Sequence, residues 1–482
     1  MSLCRIARVP LRTILQVIFT VVVAATICMP ILVRSQTQDH PAKQTNGPAS
    51  SEAVNSQIRE AASLLQQGRP GDAEPILRRV LLSAPRNSDV HNLLGIILDQ
   101  RNDFRAAERE YRAALRFNPN LLSPLANLGV LLARTGRSAE AIRAFETVLK
   151  KAPEHPQATL NLGLQYAARG DFARAMPLLE RAAQVNADNY QVRYNFGLAL
   201  YNLKRFDEAV DAFQSASTLS PSAAEPLYYQ GLIHWSRQQD ETAAQLWERA
   251  VQLRPNFPEA HFMLGEALRK NRRTQGAAEF YKRALEQDET KFAYYARLGG
   301  TYIVLGQLDQ ALDVFRRAEK RFPQSAEAHY FVGIAARGRG DYDLAESELR
   351  RSLVLEPDNE NALAQLGFVL FGRDKINEAE RLLRRAIAIT DKHFYANYDL
   401  GRLLVKSRRY EESLTILQHA ATLKPNNPGV HYQLFIALSR LKRKQESDRE
   451  LAIFKKLEEE RKARREPEDE IGDETIEGGT SP

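Results

Sequence analysis

Cysteine is almost missing from this 482-residue chain: Cys4 and Cys28 are the only two, and both precede residue 35. Everything beyond that point lacks a thiol, which excludes a disulfide framework and any cysteine-ligated metal. An exporting compartment permits disulfides without requiring them. No glycine-rich phosphate loop, no HExxH pair and no nucleophile elbow occurs either. Acid pairs are those of any charged helix surface. The composition therefore reads as non-enzymatic, with no cofactor and no metal site.

Acids are absent before Asp39, whereas Arg5, Arg8 and Arg12 precede an uncharged stretch from Thr13 to Val33. A basic start followed by an apolar core is the pattern of a secretory signal, and this core is also about long enough to span a bilayer. Two outcomes stay open. Cleavage after Val33-Arg34-Ser35 leaves Gln36 as the mature N-terminus; retention gives a single anchor whose arginines stay cytoplasmic. Either outcome puts the rest of the chain outside the cytoplasm, periplasmic or secreted if cleaved, and confines membrane contact to residues 13–33. Lipidation at Cys28 is disfavoured, because Ile27 stands where a small residue is needed.

Residues 36–53 are polar with Pro, Gly and Ser and read as a flexible linker. After the basic run Arg461 to Arg465, the stretch Glu466 to Pro482 has seven acids and no base, so 462–482 reads as a disordered tail, basic and then acidic. Losing the leader's four arginines takes the formal charge from +7 to +3, and setting aside the seven tail acids leaves the middle near +10. Its basic clusters, Arg269 to Arg273 and Arg440 to Lys444, fall at turns rather than along a continuous stripe. No nucleic-acid partner is expected.

What the chain has in abundance is register. Gly95, Gly129, Gly163, Gly197, Gly231, Gly265, Gly299, Gly333, Gly367 and Gly401 stand 34 residues apart. An alanine follows twelve positions on after nine of the ten, commonly an aromatic or leucine four later, and often a proline eight after that, as in Gly129, Ala141, Phe145 and Pro153. With the glycine at position 8, twelve units run without insertion from 54–87 to 428–461. Each suits two amphipathic helices of about thirteen residues, roughly 20 Å long. Small residues at positions 8 and 20 let the helices approach, position 24 fills the space between them, and the proline at 32 ends the second helix. Pro75 and Pro177 fall at position 22, which predicts a late start or a kink in the second helix of units 1 and 4. Unit 12, with Phe435 for glycine and Ser447 for alanine, reads as a charged cap.

This pattern resembles the tetratricopeptide repeat. The resemblance implies an all-α fold, a right-handed superhelical solenoid of about twelve helix-turn-helix repeats, and a scaffold that binds proteins or extended peptides in a concave groove. In that family the first helix of each repeat lines the groove through positions 2, 5, 6, 9, 12 and 13. Position 6 is asparagine in three consecutive repeats, Asn127, Asn161 and Asn195. An amide both donates and accepts, and arrays of the O-linked N-acetylglucosamine transferase type carry a similar ladder, so these three are the candidate contacts to a peptide backbone. Beside them Tyr194, Leu198, Tyr201, Tyr228, Leu232, Trp235 and Phe262 form a candidate aromatic and apolar patch. The family's carboxylate clamp for chaperone tails is absent, since no repeat pairs lysine at 5 with asparagine at 9.

His91, His261, His329 and His431 all fall at position 4, where the family often has an aromatic, and read as packing residues. The layout also resembles the anchored repeat proteins of lipopolysaccharide assembly, but the CxxC module that ends those proteins has no counterpart here. An accessory role in envelope or exopolysaccharide assembly, binding glycan or a partner enzyme, is the alternative reading.

Overall fold

The computed structural model of the protein describes residues 48–464. The leader and the acidic tail from Glu466 lie outside the described residues. Those described form 24 helices and no strand, none of them long and apolar enough to cross a membrane. They divide into two compact units, one ending at Gln239 and one starting at Asp240. The boundary falls between the two helices of the sixth repeat, where the regular spacing gives no sign of it.

In the first unit α1 (Pro48–Gln66) pairs with α2 (Pro70–Ser83), α3 (Ser88–Gln100) with α4 (Phe104–Phe117), α5 (Leu122–Arg134) with α6 (Ser138–Lys151), α7 (Pro156–Ala168) with α8 (Phe172–Val185), and α9 (Tyr190–Asn202) with α10 (Phe206–Leu219); α11 (Glu225–Ser236) follows. The second unit opens on α12 (Asp240–Leu253). Its pairs are α13 (Pro258–Lys270) with α14 (Thr274–Gln287), α15 (Phe292–Val304) with α16 (Leu308–Arg321), α17 (Ala326–Gly338) with α18 (Tyr342–Leu355), α19 (Glu360–Gly372) with α20 (Ile376–Ile389), α21 (Phe394–Lys406) with α22 (Tyr410–Leu423), and α23 (Pro428–Arg440) with α24 (Lys444–Arg464). Within each unit the first helices of successive pairs also touch one another, α3 on α5 on α7 on α9, and α15 on α17 on α19 on α21 on α23. They form one continuous side of each unit.

Within each unit the position-8 glycines sit where the 34-residue spacing puts them, under the side chain at position 24. A Cβ on Gly95 would come within 2.6 Å of the Tyr111 ring, and one on Gly333 within 2.7 Å of Leu349. Position 20 is buried in all twelve repeats, as alanine in the first ten and as Ser413 and Ser447 in the last two. In the last repeat the Ser447 hydroxyl meets that of Ser439 at 2.5 Å, and Lys455, Lys456 and Glu459 of α24 face outward.

The turn inside each repeat has one form. Position 15 has positive φ in all twelve, from Gly68 to Lys442, although only five of them are glycine. In the second repeat the N–H of Asp103 donates to Leu98 O and that of Asn102 to Asp99 O, both at 2.9 Å. This pair of bonds is a Schellman cap, which satisfies carbonyls the helix end would leave open.

Two expectations are corrected, the late start of the helices that hold Pro75 and Pro177 and the extent of the linker. Every second helix begins at position 17, those with Pro75 and Pro177 included. Ala73, Leu77 and Val80 of α2 and Ala175, Leu179 and Ala182 of α8 are buried, and this packing outweighs the local cost of a proline. The second concerns the linker. Helix α1 already starts at Pro48, six residues inside the segment that reads as flexible.

Candidate functional site

The asparagine ladder is largely committed to the chain itself. Asn127 is 7% exposed; its Nδ2 donates to Asn92 Oδ1 at 3.1 Å, and its Oδ1 accepts from Gln157 Nε2 at 3.4 Å. Asn161 and Asn195, half-buried, each turn Nδ2 back onto their own helix, to Gln157 O at 2.8 Å and Gln191 O at 2.7 Å. Such a bond uses one of the amide's two N–H groups and orients its Oδ1 away from that carbonyl. The ladder is thus partly engaged within the chain at all three positions, with one N–H of Asn161 and of Asn195 already used.

The aromatic residues split into a floor and an edge. Tyr194 belongs to the floor at 3% exposure, stacked on Tyr190 with centroids 5.8 Å apart and tilted against Phe213 and Tyr229. Tyr229, which the repeat spacing does not single out, is the hub. It stacks on the buried Phe213 at 5.4 Å, meets Tyr201 edge-on at 5.4 Å and takes the edge of Tyr228 at 5.4 Å. Tyr201, Tyr228, Leu198, Leu232 and Trp235 are half-buried. Burial pushes the Tyr201 phenol above its ordinary value. Phe262 lies in the second unit, where it packs on Tyr281 and Tyr294 at 5.5 and 5.0 Å.

The position-4 histidines do more than pack. In three repeats Nε2 meets the carbonyl of the proline six residues earlier and Nδ1 a glutamate 19 residues later. The sets are Pro85, His91 and Glu110 (3.1 and 2.6 Å), Pro323, His329 and Glu348 (3.2 and 2.7 Å), and Pro425, His431 and Glu450 (2.8 and 2.6 Å). Each clasp ties the end of one repeat to both helices of the next. Both ring nitrogens face acceptors. The bond to Glu450 accordingly raises His431 above its ordinary pKa. His261 keeps the proline bond at 3.0 Å but meets the ring of Phe280 instead of an acid, and burial lowers its pKa.

Family models for the tetratricopeptide repeat match residues 58–121, 127–191 and 166–229, and that of the cilia and flagella-associated protein 70 C-terminal domain, another tetratricopeptide model, matches 237–468. The chain belongs to the tetratricopeptide-repeat family. Among solved structures, this tetratricopeptide protein is similar to MamA (27% identity over 34% of this chain and 95% of that one, TM-score 0.32). It is also similar to YrrB, described as a tetratricopeptide protein with an unusual peptide-binding site (24% identity, 38% and 95%, TM-score 0.35), and to yeast Tom70 (15% identity, 89% and 99%, TM-score 0.34). No curated protein matches it.

In this tetratricopeptide array the first helices therefore offer a rigid aromatic surface in the first unit, with fixed amide acceptors alongside. The arrangement suits holding another chain, the general use of the fold.

Proposed function

We propose that the protein is a non-enzymatic scaffold, exported or anchored with its repeats outside the cytoplasm, that grips a protein or extended peptide against the first helices of repeats 3–6. The supporting observation is the half-exposed pair Tyr228 and Trp235 on α11, with Tyr228 set edge-on against Tyr229 and its stacked partner Phe213. Side chains already immobilised by packing lose little entropy when a ligand covers them, and aromatic anchors carry much of the energy of such contacts. The Oδ1 atoms of Asn161 and Asn195 accept from the ligand's backbone N–H groups. The export half of the reading rests on residues 1–35, whose arginines and apolar core have the order of a signal or anchor.

In-cell cross-linking of the tagged protein with mass spectrometry tests it, beside a Tyr228→Ala/Trp235→Ala variant that leaves the buried Tyr194 intact. Partners captured by the native chain and lost by the variant support the groove reading; identical partners for both overturn it. The same digest reads the mature N-terminus. A start near Gln36 supports cleavage, an intact Met1 in the membrane fraction supports the anchor, and recovery from the cytosol overturns export. The half-exposed rings would also stack on sugars, which gives the glycan alternative its footing. Trp247 is fully buried, so tryptophan quenching by a glycan would report on Trp235 alone.

A further inference from the structure

We propose that Glu319, His329 and Glu348 form a binding site for a divalent cation of the zinc class. Comparison of the four position-4 histidines within the chain points to it. Ten residues before the histidine stands Leu81 for His91, Val251 for His261 and Ala421 for His431. Before His329 alone it is an acid, Glu319. The structure brings its Oε1 to 3.6 Å from His329 Nδ1, the atom that Glu348 Oε2 already meets at 2.7 Å.

In the other two clasps a single carboxylate faces the ring nitrogen. Here a second carboxylate, that of Glu319, faces a ring that is only 1% exposed. Neither Glu319 nor Glu348 has a lysine or arginine partner among the described residues, although the chain carries 67 of them. A dication would neutralise both. The ligand atoms all lie within 4.8 Å of one another. Zinc bonds of about 2.0–2.2 Å place tetrahedral ligands roughly 3.4 Å apart, so the Glu319–His329 distance already fits, Glu348 has to withdraw from Nδ1 by less than about 1 Å, and the two carboxylates have to close by up to about 1.4 Å. The Nε2–H bond to Pro323 O is the outer contact metal-ligating histidines usually have, and it leaves the Nδ1 lone pair for the ion. One imidazole with two carboxylates favours zinc, cobalt or manganese over calcium and magnesium, which prefer all-oxygen sites. The Glu319 side chain is 27% exposed, and its side gives entry and room for a water as fourth ligand.

The ion would join α16, α17 and α18, crossing from the eighth repeat to the ninth. The proposal departs from the sequence-based expectation of no metal, since the three residues lie 10 and 19 positions apart with no familiar metal spacing. The test is calorimetric titration of the chelator-treated full-length protein with ZnCl2 at pH 7.5, together with Co2+ absorption spectra. The variants are Glu319→Gln, Glu319→Leu (the residue at the equivalent place before His91) and, as control, Glu450→Gln at the one-carboxylate clasp. Expected are one equivalent bound by the native chain, at least tenfold weaker binding in both Glu319 variants, no change in the control, and a zinc-dependent rise in Tm that the Glu319 variants lose. No stoichiometric uptake by the native chain, or equal affinity in a folded Glu319 variant, overturns the site.

Discussion

A Cβ built on Gly129 would lie 2.7 Å from Cε1 of Phe145, well inside the distance at which carbon atoms pack. Gly129→Ala therefore forces the ring or the helix to move. Overpacking of this kind costs about 1–3 kcal/mol, and the gain in helix propensity returns up to about 1 kcal/mol. A lower Tm with unchanged helicity is expected. An unchanged or raised Tm would mean that the ring has room to withdraw.

The turn offers the opposite change. Arg408 is exposed and sits at φ 61°, a conformation that costs a non-glycine residue roughly 1–2 kcal/mol. Arg408→Gly should stabilise the protein by about 0.5–1 kcal/mol, the flexibility glycine adds to the unfolded chain taking back part of the gain. Gly170→Ala, at φ 75°, should destabilise by a similar amount. Chemical denaturation of both variants checks the pair, and shifts of equal sign would sink the idea.

Much of this fold is legible in sequence because small residues at fixed spacing report close helix contacts directly: Gly129, by its place in the repeat, predicts a bulky neighbour such as Phe145. Seven of the twelve left-handed turn positions are hidden, since Lys204 or Arg272 there looks like ordinary loop chemistry. The site is less legible. Asn127 is taken up by Asn92 and Gln157, 35 and 30 residues away, and one position of a repeat does not say whether its amide faces a neighbour or a ligand. Tyr194 fails for the same reason, since position 5 touches both the adjacent repeat and the open side. The clasps did leave a signal, the P-x5-H-x18-E spacing that recurs at His91, His329 and His431.

Titration should separate those histidines. The bond to Glu450 raises His431 and burial lowers His261, both from an ordinary value of 6.5. For a raised base, the stabilisation is complete below the unfolded pKa and fades as pH rises through the folded one. Thermal melts from pH 5 to 9 should show the native chain losing more stability than Glu450→Gln across that window. Histidine-selective NMR should place His431 above 6.5 and His261 below it. A reversed order would remove the clasp's electrostatic basis.

Asp399 provides a test of opposite chemistry. It is 4% exposed on α21, and burial pushes its carboxyl from 3.8 to about 6 although Arg402 bonds it at 3.1 Å and Arg337 lies nearby. A raised acid stabilises the fold below its unfolded pKa, and that contribution is lost as pH climbs through the folded value. The shift corresponds to roughly 3 kcal/mol at most, taking about 1.4 kcal/mol per pH unit. Asp399→Asn keeps an acceptor for Arg402 and removes the buried charge. It should leave stability nearly unchanged near pH 4, with a gap in favour of the variant opening toward pH 6 and holding at pH 8. If the variant melts lower at pH 8, attraction to the two arginines exceeds the cost of burying the carboxylate, and Asp399 is then an ion-pair partner rather than a strained acid.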